Sequence, residues 1–117
     1  MGRDLVLIVD DHAGFRRFAR RMLESSGFGV AEVDCGEAAI VAVAEMQPDL
    51  VLLDVQLPDL NGFEVAKRLR GEGAAARIVL TSTRCRSDYG PRIARDRFIT
   101  KSELSGAVLR DIAGARQ

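Results

Sequence analysis

Leu5-Val6-Leu7-Ile8-Val9 is followed at once by Asp10 and Asp11, and Leu50-Val51-Leu52-Leu53 is followed by Asp54. Both apolar runs consist of β-branched residues and leucine, which is typical of strands buried on both faces. Such strands belong to parallel sheets covered by helices on either side. The two runs therefore predict a parallel sheet with acidic residues at the carboxyl ends of its strands.

The rest of the chain alternates between strand and helix patterns. After the first strand, apolar residues recur at i, i+3, i+4, i+7 and i+8, which predicts a first helix (helix 1) with one apolar stripe. The stripe is formed by Phe15, Phe18, Ala19, Met22 and Leu23. The further predicted elements are a strand at about Gly29–Val33, helices at Glu37–Met46 and Phe63–Arg70, strands at Arg77–Leu80 and Phe98–Thr100, and a closing helix lined by Leu104, Ala107, Val108, Leu109 and Ile112. This order predicts an α/β fold of the (βα)₅ type.

The segment between Thr81 and Phe98 is ambiguous because Gly90-Pro91 interrupts its helical pattern. Proline is tolerated only in the first turn of a helix, so any helix here should begin near Ser87 or at Pro91 and end by Asp96.

Composition favours a single globular domain spanning residues 1–117, with no output domain in this chain. The chain has 117 residues, 47% of them hydrophobic, and a formal net charge of zero. That balance predicts no direct binding of nucleic acid and no attraction to a membrane. No signal-peptide pattern precedes the first strand, so we expect a cytoplasmic protein, in which Cys35 and Cys85 stay unpaired.

Polar side chains follow four of the predicted strands: Asp10, Asp11, Asp54, Thr81 and Lys101. Ligands of open parallel sheets bind at the carboxyl ends of the strands. Like charges at short range repel one another, so clustered carboxylates either change their pKa values or recruit a cation. Oxygen ligands suit Mg²⁺, and a metal, an ammonium and a hydroxyl around one carboxylate would bind a phosphoryl group. Asp54 would then be the nucleophile.

The sequence resembles a response-regulator receiver domain from Leu5 to about Ile112. The motifs that carry the resemblance are Val-Asp-Asp-His (9–12), Leu-Leu-Asp-Val-Gln-Leu-Pro-Asp-Leu-Asn-Gly-Phe-Glu (52–64), Val-Leu-Thr-Ser (79–82) and Phe-Ile-Thr-Lys-Ser-Glu-Leu (98–104). These motifs are most similar to those of the branch that usually carries a LuxR-type helix-turn-helix output domain. The resemblance implies a flavodoxin-like, doubly wound sheet of five parallel strands in the order 2-1-3-4-5.

The resemblance also implies a role for each site residue. Asp54 matches the phosphoacceptor, and Thr81 and Lys101 match the residues that bind the phosphoryl oxygens. For Mg²⁺, Asp11 matches a direct ligand, Asp10 a ligand acting through water, and the backbone carbonyl of Gln56 the third protein ligand beside Asp54. Phe98 matches the aromatic switch residue that responds when the Thr81 hydroxyl binds the phosphate.

A receiver domain of this kind is a phosphoacceptor signalling domain and not an enzyme, and slow self-dephosphorylation is expected. Its phosphoryl donor would be a sensor histidine kinase. The output would be a change in the surface formed by helix 4, strand 5 and helix 5 of the (βα)₅ pattern, read by an attached DNA-binding domain or by a second copy. The chain would then be either a stand-alone receiver or the N-terminal part of a transcription regulator.

Two features depart from the family pattern. Ser102 follows Lys101 where many receivers have proline, and the stretch from Thr81 to Phe98 is short.

Two other function classes are alternatives to a receiver domain. One alternative is a Mg²⁺-dependent phosphatase that resembles the haloacid dehalogenases. Such an enzyme needs an acid two residues after its nucleophile, and Gln56 stands there. The other alternative is a phosphorylation-independent protein-binding module, which would have no need of the intact polar set.

Overall fold

The computed structural model describes residues 4–84, 88–90 and 97–114. In chain order the elements are β1 (Leu5–Val9), α1 (Ala13–Ser25), β2 (Gly29–Val33), α2 (Gly36–Met46), β3 (Leu50–Asp54), α3 (Gly62–Gly71), β4 (Arg77–Ser82), β5 (Arg97–Thr100), a 3₁₀ turn (Lys101–Glu103) and α4 (Gly106–Gly114). None of the helices within these ranges is both long enough and apolar enough to cross a membrane.

The five strands form one parallel sheet in the order β2-β1-β3-β4-β5, which confirms the expected fold class. In the register, Leu7 of β1 lies between Ala31 of β2 and Val51 of β3. The chain order reverses direction between β1 and β3, and the crevice at such a reversal is where open α/β sheets bind ligands.

Each face of the sheet is covered by its own apolar cluster. Side chains alternate between the faces, so Leu7 and Val51 contribute to the cluster under α2 and α3, whereas Ile8 and Leu52 contribute to the cluster under α1 and α4. All five residues of β3 are buried, as the continuous apolar run predicts. Burial on both faces fixes the strand register and with it the position, along the strand direction, of the polar residues at the strand ends.

Two residues of the predicted helical faces lie elsewhere. Phe18 was expected on the buried stripe of helix 1 but is 55% exposed, because α1 packs through Ala19 and Leu23 and Phe18 precedes Ala19 by about 100° of helix rotation. Leu104 was expected in the closing helix but precedes it, since the Ser105 hydroxyl accepts the backbone N–H of Val108 and α4 begins at Gly106. Leu104 is nevertheless buried.

The helix predicted between Thr81 and Phe98 lies largely outside the described residues, and so does Cys85. Of residues 85–96, only Asp88, Tyr89 and Gly90 are described, and Tyr89 is half-buried. The peptide bond between Lys101 and Ser102 is trans.

Gly62 allows the first turn of α3 to pack directly on the end of β3. A Cβ atom at this position would lie 2.5 Å from the backbone oxygen of Asp54 and 2.8 Å from the Cα atom of Val55. Both neighbours are backbone, which cannot move aside without displacing the strand. The Gly62 N–H also donates to the Val55 carbonyl at 2.7 Å. A side chain at Gly62 would therefore shift the backbone that carries Asp54.

Gly62→Ala should lower the free energy of unfolding by about 1–3 kcal/mol, the usual cost of inserting a methyl group into a packed region. The matched control is Gly71→Ala at the other end of α3, where an added Cβ has nothing within 4 Å. Alanine favours the helix over glycine, so this control should be neutral or slightly stabilising. Urea unfolding of both variants measures the difference, and equal stabilities would contradict the close packing of α3 on Asp54.

Candidate acidic site at the carboxyl end of the sheet

The structure brings together all five polar residues that were expected at the strand ends. Asp10 directly follows β1, Asp54 is the last residue of β3, and Lys101 directly follows β5. Thr81 lies in β4 opposite Asp54 in the parallel register. The convergence follows from the strand order, which places β1, β3 and β4 side by side.

An acidic cluster forms at the junction of β1 and β3. Asp10, Asp11, His12 and Asp54 each offer one ligand atom, and these atoms all lie within 4.8 Å of one another. Asp10 and Asp54 are buried, whereas Asp11 and His12 are exposed. A buried pair of carboxylates with a third at the surface is a cluster of oxygen donors that opens to solvent, and oxygen donors are the ligands Mg²⁺ prefers. The residues present therefore fit the expected metal.

Lys101 provides the positive charge nearest to the two buried carboxylates within the described chain. Its Nζ atom lies 2.7 Å from Oδ2 of Asp10 and 3.6 Å from Oδ2 of Asp54. One ammonium cannot neutralise three carboxylates, so Asp10, Asp11 and Asp54 retain an excess of negative charge. A cation with more than one charge would relieve that excess.

Burial and, after it, the neighbouring Asp10 charge raise the pKa of Asp54 from its ordinary value of 3.8 to about 6. The backbone N–H of Gln56, 3.2 Å from Oδ1 of Asp54, and the Lys101 ammonium act in the opposite direction. The raised pKa shows that the charged form of Asp54 is incompletely stabilised by the protein alone.

Thr81 and Gln56 are both neighbours of Asp54. The Thr81 side chain is buried, and its hydroxyl oxygen has no hydrogen-bond partner among the described residues. Buried hydroxyl groups are normally paired, so this one is available to a ligand beside Asp54. Gln56 directs its backbone N–H at Asp54 while its side chain is exposed. The expected role of its carbonyl as a metal ligand stays a prediction.

Sequence reasoning did not identify Asp59, which fixes the loop after β3. Its carboxylate accepts backbone N–H groups of Gly36 and Glu37 at the start of α2, and of Leu60 in its own loop. These hydrogen bonds, led by the one from Glu37, lower the pKa of the Asp59 carboxyl. A capping acid normally precedes its helix, whereas Asp59 lies 22 residues after Glu37, so no local pattern could have revealed it.

Arg16 and His12 also organise the acidic segment. Arg16 donates to the backbone carbonyl of Asp10 at 2.7 Å and pairs with Glu32 of β2 at 3.0 Å, which ties α1 to the segment after β1. His12, which directly precedes α1, is exposed, and its Nδ1 atom lies 3.0 Å from Oδ1 of Asp10 and 3.2 Å from Oδ1 of Asp11. Asp10 in turn accepts the His12 backbone N–H.

Phe98, the expected aromatic switch residue, is buried against Tyr89. The two ring centroids are 5.7 Å apart, and Tyr89 also meets Phe63 of α3 edge-on at 5.6 Å. The Tyr89 hydroxyl lies 2.6 Å from the hydroxyl of Ser82, the residue after Thr81. Phe98 is thus connected, through Tyr89, to the strand end beside the acidic cluster.

Asp54→Asn should stabilise the metal-free protein at neutral and alkaline pH. Because the folded-state pKa of Asp54 is raised, the native state binds more protons than the unfolded state between about pH 4 and 6, and stability falls as pH rises through that window. Asparagine removes this loss, so the variant should gain about 1–3 kcal/mol at pH 8 and close to nothing at pH 4.

The measurement is urea unfolding in the presence of a chelator from pH 4 to pH 8. Asp111→Asn, at an exposed position of α4, is the control for removal of a negative charge. A gain for Asp54→Asn that is constant across the pH range would show that burial does not raise the pKa of Asp54.

Comparison with known proteins agrees with this geometry. The family model described as response regulator receiver domain matches residues 6–106. The DNA-binding response regulator MtrA of Mycobacterium tuberculosis is 39% identical over 80 residues, which cover 68% of this chain and 35% of MtrA. The chain thus spans about a third of the length of such curated relatives.

Two solved structures share the fold over nearly the whole chain. A LuxR-family two-component response regulator from Aurantimonas is 27% identical with a TM-score of 0.84, covering 97% of this chain and 85% of that one. The response regulator TrrA of Thermotoga maritima, solved in complex with Mg²⁺-BeF, is 25% identical with a TM-score of 0.83, covering 95% and 97%. With the family model matched from β1 to the start of α4, the chain belongs to the response regulator receiver domains of two-component signalling.

Proposed function

We propose that Asp54 accepts a phosphoryl group from a partner histidine kinase in a reaction that requires Mg²⁺. The observation that carries this proposal is the buried Thr81 hydroxyl, which has no partner among the described residues and lies on the strand beside a buried Asp54. The site offers a nucleophile, an ammonium and a hydroxyl around one position, which is what a transferring phosphoryl group requires.

In the proposed reaction a carboxylate oxygen of Asp54 forms a bond to phosphorus while the bond from phosphorus to the donor histidine nitrogen breaks. The nitrogen retains the bonding electron pair, and Asp54 becomes an acyl phosphate. Lys101, already within 3.6 Å of Asp54, moves to the new charge on the phosphoryl oxygens, and the Thr81 hydroxyl donates to one of them. Both interactions strengthen as the phosphoryl group arrives.

Asp11, Asp54 and the carbonyl of Gln56 would hold the metal directly, with Asp10 acting through water. When bound, Mg²⁺ supplies the positive charge that offsets the carboxylates and the phosphoryl oxygens. TrrA was solved with Mg²⁺-BeF, which supports the same requirement in this chain. The exposed side chain of Gln56 offers no acid for a dehalogenase-type phosphatase. The Thr81 hydroxyl, which has no partner among the described residues, disfavours a module that needs no phosphate.

Phosphorylation would act on the surface around β5 through Thr81 and Phe98. When the Thr81 hydroxyl turns to the phosphate, the adjacent Ser82–Tyr89 hydrogen bond and the contact of Tyr89 with Phe98 would rearrange. In the cytoplasm, the altered surface would be read by an attached DNA-binding domain, as the name of MtrA suggests, or by a second copy of the receiver. Slow self-dephosphorylation would return the domain, here taken as residues 1–117, to its resting state.

Asp54→Asn should abolish phosphorylation. Incubation with acetyl phosphate and Mg²⁺, followed by intact-mass measurement, should add one phosphoryl group to the wild-type chain and none to the variant. Asp111→Asn, which changes an exposed acid of α4, is the control for loss of a negative charge and should still be phosphorylated. Phosphorylation of Asp54→Asn at the wild-type rate would refute the assignment.

Asp11→Asn should weaken Mg²⁺ binding by about tenfold or more, because it deletes a proposed direct ligand. Glu64→Gln is the matched control, since Glu64 lies in α3 and pairs with Arg68 at 3.5 Å. Calorimetric titration of the two variants with MgCl₂ gives the comparison. Equal affinities would show that Asp11 is not a ligand.

A further inference from the structure

The aromatic ring of Phe15 lies against the ammonium group of Lys101. The Nζ atom is 4.4 Å from the ring centroid, within the range of a cation–π interaction. Phe15 lies in the first turn of α1 and is half-buried, and the Lys101 side chain is only 14% exposed. The contact is therefore partly shielded from water, which strengthens a charge–quadrupole attraction.

The two carboxylate partners of Lys101 do not hold its ammonium group symmetrically. Asp10 is 0.9 Å closer to the ammonium than Asp54, at 2.7 Å against 3.6 Å. A lysine side chain has a flexible four-carbon stem and lacks a planar group that would fix the orientation of its ammonium. The Phe15 ring supplies a third side to the ammonium site, and α1 is itself fixed because Arg16 donates to the Asp10 carbonyl.

We propose that Phe15 is a positioning residue for phosphoryl transfer: its ring face holds the Lys101 ammonium within reach of Asp54. The inference rests on the proposed function, because it assigns Phe15 a role through Lys101, and it adds a residue of α1 to the phosphorylation site. Phe15 touches neither Asp54 nor the phosphoryl group in this account.

Substitutions at Phe15 can separate the effect of the ring face on Lys101 from the effect of simple packing. Phe15 also packs at the edge of the apolar cluster under α1 and α4, so any smaller side chain there would disturb the core. Phe15→Leu keeps an apolar side chain but removes the ring, whereas Phe15→Tyr keeps the ring. Phe18→Leu is the matched control, since Phe18 is the exposed neighbour whose ring lies 6.4 Å from that of Phe15.

Proton NMR of the unphosphorylated protein tests the contact directly. The ring current of Phe15 should shift the ε-methylene protons of Lys101 upfield. The shift should disappear in Phe15→Leu and persist in Phe15→Tyr and Phe18→Leu. Lys101 ε-methylene resonances at unperturbed positions in the wild-type protein would overturn the proposed contact.

The rate of phosphorylation by acetyl phosphate and Mg²⁺ tests the role. Phe15→Leu should be slower by about fivefold, equivalent to about 1 kcal/mol in the barrier, whereas Phe15→Tyr should stay within about twofold of wild type and Phe18→Leu should be unchanged. In a Lys101→Ala background, Phe15→Leu should have no additional effect, because the residue through which it acts is absent.

The outcomes distinguish this inference from the function on which it rests. If the wild-type chain is not phosphorylated on Asp54, the proposed function fails. If it is phosphorylated and Phe15→Leu reacts at the wild-type rate, or the losses in the Lys101→Ala background are additive, the positioning role fails. If Phe15→Leu does not fold, Phe15→Tyr decides instead. Loss of the Lys101 ε-methylene shift or of the near-wild-type phosphorylation rate in Phe15→Tyr would overturn the role.

Discussion

The structure depends on the confinement of two carboxylates, Asp10 and Asp54, at the buried ends of adjacent strands. Neither side chain can withdraw into water, because each lies at the carboxyl end of a strand packed on both faces. Burial and, after it, the charge of Asp10 raise the pKa of Asp54, and Lys101 offsets these effects only in part. Crowded, buried carboxylates of this kind are stabilised when a cation binds, which is the physical basis of the proposed metal requirement.

The surrounding fold holds this unfavourable cluster in place. Gly62 brings α3 onto the backbone of Asp54, Asp59 fastens the following loop to α2, and Arg16 fastens α1 to Asp10. These contacts come from three helices, so the cluster is fixed from several directions. The apolar clusters on both faces of the sheet stabilise the fold sufficiently to tolerate the repulsion at its edge.

The fold and the meeting of the polar residues at one edge of the sheet were predictable from the sequence because their patterns are local. Continuous apolar strands identify a parallel sheet, and a polar residue at a strand end needs only that sheet to find its neighbours. The strand order came from the family resemblance. The partners of Asp59 and Phe15 were not predictable, since Asp59 caps a helix earlier in the chain and Phe15 meets a lysine 86 residues away. Phe18 was misplaced because helical spacing gives a stripe but not the rotation of the helix on its sheet.

A crystal structure of the chain with Mg²⁺ and beryllofluoride would directly test whether Asp54 is the phosphoryl acceptor. We expect the beryllofluoride on an Asp54 oxygen, with Lys101 Nζ and the Thr81 hydroxyl each within hydrogen-bond distance of a fluorine. We also expect the metal to be held by Asp11, Asp54 and the Gln56 carbonyl. Beryllofluoride bound elsewhere, or a Thr81 hydroxyl that still contacts no ligand, would contradict this assignment.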